Sequence, residues 1–121
     1  MATARHTRRE NKDCPSCGEI YLTALDPTVG REIQKTRPCL IVQADILNRL
    51  SDITIIVPIT STVRFPLSPV HVLLASNAIT GLAVTSVAVF DQIRAVDRTR
   101  LVKRLGRVDD ETVESRFGHE N

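Results

Sequence analysis

The sequence predicts a mainly β protein, a small and mostly antiparallel barrel with one or two short helices. Three observations predict it. Six apolar segments are strand-sized and rich in β-branched side chains. Turn-forming residues, Pro27, Gly30, Pro66, Pro69 and Gly81 among them, punctuate the chain between those segments. Helical patterning is confined to two brief stretches. Many short strands with so little helix read as a compact barrel.

Taken in order, residues 1–13 are polar and without periodicity, and read as disordered. "GEIYLTAL" (18–25) is the first strand, apolar on both faces. "DPTVGREIQKTR" (26–37) is too long for a tight hairpin turn. Pro38 opens "PCLIVQ" at a strand's first position, where its missing N–H does least harm. "ADILNRL" predicts one or two helical turns, and "ITIIVPIT" (53–60) is the most strand-like segment of all. "STVRFPLSP" reads as a loop, and "VHVLL" (70–74) as a strand with His71 facing opposite to Val70 and Val72. "TSVAVFDQIRAV" (85–96) reads as one long strand or a strand with a bend. Residues 97–108 fit either a short helical turn or a last strand. "DDETVESRF" predicts a short C-terminal helix with Asp109 as its N-cap and Val113 and Phe117 on one face.

At 121 residues the chain can bury a real core. Its 42% hydrophobic and 25% charged content is ordinary for a globular protein. No apolar run approaches the roughly 20 residues of a membrane helix. The basic start "MATARHTRRENK" has no apolar stretch behind it, so it is not a secretory signal, and the expected location is cytoplasmic. Net charge is only +2, but it is unevenly placed. Arg94, Arg98, Arg100, Lys103, Arg104 and Arg107 face one acid, Asp97, and an acidic tail follows. Such a stripe suggests a polyanion-binding face, against the alternative of a solvated charged surface. The odd cysteine count (Cys14, Cys17, Cys39) argues against a disulfide scaffold. "CPSCG" opens like a zinc knuckle, but no second half follows, so no metal or other cofactor is expected.

"KTRPCLIVQ" sets Lys35 and Arg37 at the mouth of a buried strand, as solvated charges or as cations aimed at an anionic substrate. "GEIYLTALDPTVGREIQKTRPCLIVQADILNR", then "TIIVPITS", then "GLAVTSVAVFDQIRAVDRTRLVKRLGRV" resemble, in that order, the MazF/PemK family of toxins. The resemblance covers residues 18 to about 115. It implies an SH3-like barrel of the kind shared with the toxin CcdB, with a short C-terminal helix, over residues 18–121 behind a disordered segment 1–17. It implies a homodimeric endoribonuclease that cuts single-stranded RNA without metal, by attack of the 2′-hydroxyl on phosphorus. It also implies an antitoxin partner whose disordered C-terminal segment blocks the RNA groove. Arg37 falls on the family's catalytic arginine and Thr60 on its catalytic threonine. Arg31, Glu32, Lys35, Asn48, Ser61, Gln92 and Arg94 are the RNA contacts so implied. The chain departs from the family at Arg31 and Ile33, where serine and glutamine are common, and in its shorter C-terminus. It has no histidine in the first strand or its loop, so the histidine role of some PemK-type members is not carried over. The alternative is a non-catalytic or CcdB-like barrel that binds a target without cutting RNA.

The residue chemistry fits the first reading. In-line attack builds negative charge on the phosphorane oxygens, and a rigid cation with several donors is the largest available help. Arginine's planar fork can pair with two phosphate oxygens at once. Its pKa, above about 12, makes it a transition-state clamp rather than a proton carrier.

Overall fold

The structure, a computed structural model, describes residues 14–25, 35–109 and 112–114. The elements in chain order are β1 (Glu19–Ala24), β2 (Thr36–Ile41), α1 (Asp45–Leu50), β3 (Ile53–Thr60), β4 (His71–Leu74), β5 (Ser86–Val89), a 3-10 turn (Phe90–Gln92), β6 (Arg94–Asp97), a second 3-10 turn (Arg98–Arg100), β7 (Leu101–Arg107) and β8 (Val113–Glu114). All described pairings are antiparallel, in the order β7-β1-β2-β3-β5-β4-β8, with β6 paired to β3 off that path. The mainly β architecture expected from the sequence is the one observed. No described helix is long and apolar enough to cross a membrane.

β3 organises the molecule. Its β-branched run suits a pleat covered on both sides, and Ile56, Val57 and Ile59 are almost wholly buried. Along one edge it pairs with β2, from Cys39↔Pro58 to Ile41↔Ile56. Along the other it pairs first with β6 (Ile53↔Asp97 to Ile56↔Arg94) and then with β5 (Ile59↔Ala88, Thr60↔Val87). Those two registers are out of step, and the turn Phe90–Gln92 takes up the difference. The stretch expected as one long strand or a strand with a bend is therefore two strands broken by a 3-10 turn. Val57 and Pro58 fall between the two partners, where a residue with no N–H harms the ladder least.

Strand alternation sorts the core into two clusters. Ile20, Leu40, Val57, Ile59, Leu74, Leu82 and Ala88 fill one face of the sheet. Leu25, Cys39, Ile41, Ile56 and Val96 pack on the other. The ends of the strand path curl together. Arg107 N–H donates to the Ile79 carbonyl at 2.9 Å, and Ala75 N–H donates to the Thr112 carbonyl at 2.9 Å. Two glycines make this closure possible. A Cβ on Gly81 (φ 71) would run into the Leu105 carbonyl, and one on Gly106 would run into the Ile79 and Thr80 backbone.

Two further expectations change. β2 begins at Thr36, so Pro38 is its third residue rather than its first, paired with Leu22 just before β3 joins at Cys39. The helix expected from Asp109 does not form over the described residues. Asp109 does accept the Thr112 N–H through Oδ1 at 3.1 Å, which is the N-cap geometry. Val113 and Glu114 then pair with Leu74 and Leu73, because the open edge of β4 offers the backbone a ladder that a local cap cannot match. Phe117 and the rest of that predicted helix lie outside the described residues.

Candidate active site

The two residues expected to be catalytic lie on the paired strands β2 and β3. Arg37 is the second residue of β2, half-buried, and pairs with Thr23 of β1. Thr60 ends β3 and is also half-buried. The β2–β3 ladder ends at Cys39↔Pro58, and Arg37 and Thr60 each lie two residues beyond that last pair, on neighbouring strands. Both belong to the sheet face that carries Cys39 and Ile56, since residues two apart on a strand point the same way. Thr60 Oγ1 accepts the Thr62 N–H at 3.2 Å. Among the described residues no acceptor takes its hydroxyl proton, so the O–H can donate outward.

The approach to Arg37 is strained. Lys35 has φ 72, a left-handed conformation that non-glycine residues seldom adopt. Its carbonyl accepts the Leu25 N–H at 3.1 Å, which closes the neck between β1 and β2. Lys35 itself is exposed. Arg31 and Glu32 lie outside the described residues.

Behind the site sits the buried thiol of Cys39. Burial pushes its pKa up to about 12, opposed by a hydrogen bond with Thr23 and by the nearby Arg94 and Arg37 guanidiniums. Arg94 and Arg37 thus both lie close to one buried strand residue. Arg94 Nη2 donates to the Leu25 carbonyl at 3.4 Å. Gln92, half-buried, ends the 3-10 turn that packs against β3, and Ser61 is exposed just beyond Thr60.

Asn48, expected as an RNA contact, is corrected by its surroundings. It is fully buried. Its Oδ1 accepts from Gln43 Nε2 and from Thr54 Oγ1, each at 2.8 Å, and its Nδ2 donates to the Gln43 carbonyl at 3.0 Å. The side chain ties α1 to β3.

The basic stripe is corrected as well, since most of it is spent on the protein. Arg98 Nη1 donates to the Asn48 and Ser51 carbonyls at the end of α1, and Arg100 Nη1 to the Ala24 carbonyl at 3.5 Å. Arg104 pairs with Glu19 at 2.6 Å and Arg107 with Asp109 at 2.9 Å. These arginines secure strand ends and turns. Sequence spacing could reveal only the Arg107–Asp109 pair, because the other partners lie far along the chain or on backbone carbonyls.

One side chain gains interest. Thr60 pairs with Val87, and Val87 with Leu73, so His71 shares the face of Arg37 and Thr60. Its Nε2 lies 3.8 Å from Asp91 Oδ1. The alternation in "VHVLL" was the signal for this placement, and only the pairing shows which face it meets. Among the described residues no group of three or more His, Cys, Asp or Glu side chains is placed to hold a metal ion.

The chain is a small antiparallel β fold that carries an arginine and a threonine just beyond the last pairing of two neighbouring strands. Residues 16–115 match the model of the PemK-like, MazF-like toxin of type II toxin–antitoxin systems, and the chain belongs to that family. It is 35% identical over 97 residues to endoribonuclease EndoA of Bacillus subtilis, across 80% of this chain and 83% of that protein. It is 40% identical over 92 residues to endoribonuclease PemK of Escherichia coli, across 75% of this chain and 68% of that one. Among solved structures, MazF from Deinococcus radiodurans shares the fold with a TM-score of 0.67 at 24% identity, over 81% of this chain and 84% of that one. A mycobacterial endoribonuclease in complex with its cognate antitoxin superposes with a TM-score of 0.63 at 25% identity, over 81% and 82% of the two chains.

Proposed function

We propose that this protein is the RNA-cleaving toxin of a toxin–antitoxin pair, an endoribonuclease acting on single-stranded RNA. The observation that supports the reading is the β2–β3 ladder, whose last pair, Cys39↔Pro58, leaves Arg37 and Thr60 two residues beyond it on neighbouring strands, on the same face by alternation. The substrate's own 2′-hydroxyl attacks phosphorus and gives up its proton. The P–O5′ bond breaks, and the departing oxygen takes a proton. The ends left are a 2′,3′-cyclic phosphate and a 5′-hydroxyl. Arg37 clamps two phosphorane oxygens and Thr60 donates a third hydrogen bond. The RNA is single-stranded because the 2′-hydroxyl must swing into line with the scissile bond. Lys35, Ser61 and Gln92 lie near the site, and with Arg31 and Glu32 they hold the strand and read bases.

Two curated relatives named as endoribonucleases support the activity. A solved relative bound to its antitoxin supports a second partner, an antitoxin segment that occupies the same groove. The working unit is a homodimer, and its setting is the cytoplasm, where mRNA is found.

The test maps cut ends on a long single-stranded RNA, in excess chelator and without it. Discrete cuts with the stated ends, unaffected by chelator and absent with Arg37→Ala and Thr60→Ala, are expected. An RNA left intact by the wild-type protein, or activity restored only by a divalent ion, overturns the reading.

A further inference from the structure

We propose that Arg94 and Arg100 act as a brace on the neck between β1 and β2, and so position Arg37 rather than contact the RNA. The proposal rests on the reading of Arg37 as the phosphate clamp. Its geometry comes from strands distant in sequence. Arg94 Nη2 donates to the Leu25 carbonyl at 3.4 Å, and Arg100 Nη1 donates to the Ala24 carbonyl at 3.5 Å. Two guanidiniums thus converge on consecutive carbonyls where β1 ends. Each bond is long and modest alone, and the convergence of two cations on adjacent carbonyl dipoles is what singles out the pair.

The braced residues lead directly to the site. Ala24 pairs with Thr36 and Thr23 with Arg37. Leu25 is buried in the cluster with Cys39 and Val96, and its N–H holds the Lys35 carbonyl at 3.1 Å. Lys35 sits in the left-handed region at φ 72. A non-glycine residue stays there only when its surroundings over-determine it. The chain from Arg94 through Leu25 to Lys35 supplies that constraint two residues before Arg37. A brace of this kind sets where the Arg37 fork stands, and clamping efficiency falls steeply with small misplacements.

Amide exchange on the full chain tests this independently of any cleavage. Arg94→Met and Arg100→Met keep most of the stem and remove the donors. Exchange at the Leu25 N–H is expected to quicken about tenfold or more in each variant. Exchange at the Gly18 N–H, bonded to the Ile41 carbonyl at the far end of the sheet, is expected to hold its rate. An unchanged Leu25 rate, or equal quickening at both amides, overturns the proposal. Single-turnover cleavage adds the functional arm. Each variant should cut more slowly while RNA affinity keeps its salt dependence, and should lose nothing further in an Arg37→Ala background. Arg100→Lys, which retains a donor, should recover part of the rate. A salt slope that falls by about 0.7 per arginine, with Leu25 exchange unchanged, would make these residues phosphate contacts instead. If the wild-type protein cuts no RNA, the exchange result still decides the brace, and it is the cleavage reading that falls.

Discussion

Arg37 and Asn48 both lie on segments that carry the family resemblance, and they behave in opposite ways. Arg37 stands at a strand end, half-buried, so truncating it removes few core contacts. Arg37→Ala should change stability by roughly 1 kcal/mol or less. Its loss from the developing phosphorane should slow single-turnover cleavage on the order of 10²- to 10³-fold, by analogy with an oxyanion-hole donor. Arg37→Lys should recover little, because one ammonium cannot reproduce the planar fork. Cleavage rates beside thermal melts check this, and a near wild-type rate for Arg37→Ala would remove the residue from the mechanism. Asn48→Ala should do the reverse. It orphans the Thr54 hydroxyl and the Gln43 carbonyl and leaves Gln43 Nε2 only its bond to the Ile53 carbonyl. A loss of about 1–3 kcal/mol in urea unfolding is expected, from buried polar groups left without partners. That Arg37 stands at the start of a buried strand was legible in the sequence, but the cation and proline before the apolar run hid that the strand already begins at Thr36. The burial of Asn48 was not legible, because its partners Gln43 and Thr54 are polar residues on separate elements.

β3 was legible as an element because eight consecutive residues favour a pleat and its ends are marked. Its two partners on one edge were not, since a three-residue turn inside "VFDQIR" carries no strong turn signal. The C-terminal segment shows the same limit from the other side. Asp109 and Thr112 carry a genuine capping signal and make those bonds, yet the chain continues into β8. Long-range pairing with β4 outweighs a local helix preference there. The seam where the sheet closes gives a sharper test. At Gly106 a side chain would meet the backbone of Ile79 and Thr80, which cannot rotate away. Gly106→Ala should therefore cost at least about 1–3 kcal/mol by overpacking. Gly81→Ala adds unfavourable φ to the same kind of clash and should cost no less. Denaturant midpoints for both variants check the order, and a neutral Gly106→Ala would mean that the seam is open.

The whole molecule carries a pH response that no short motif foretells, because it depends on which groups the fold buries. Burial raises the Cys39 thiol to about 12. Burial, and then the charge of Glu19, also raises the Tyr21 hydroxyl above its ordinary value. Below about pH 9 the thiol is protonated in both folded and unfolded chains, and its contribution to stability is intact. Above that pH the unfolded chain gives up the thiol proton while the folded one keeps it. Ionisation then favours unfolding, and the contribution is lost as pH rises from the ordinary thiol value through the folded one. Tyr21 acts in the same direction from about pH 10 upward. Stability against urea should be level from neutral pH to about 8. It should then fall with a slope of up to about 1.4 kcal/mol per pH unit from Cys39, to which the more exposed Tyr21 adds a smaller, solvent-screened part. Cys39→Ala lowers the whole curve by leaving a small cavity but should flatten its alkaline limb, leaving the Tyr21 part. The same burial predicts the reactivity of the native protein at neutral pH. The exposed Cys17 should alkylate readily, while Cys39 waits for unfolding. Urea midpoints against pH for the two proteins decide the matter. Parallel alkaline limbs would show that the Cys39 thiol ionises as easily in the folded chain as in the unfolded one.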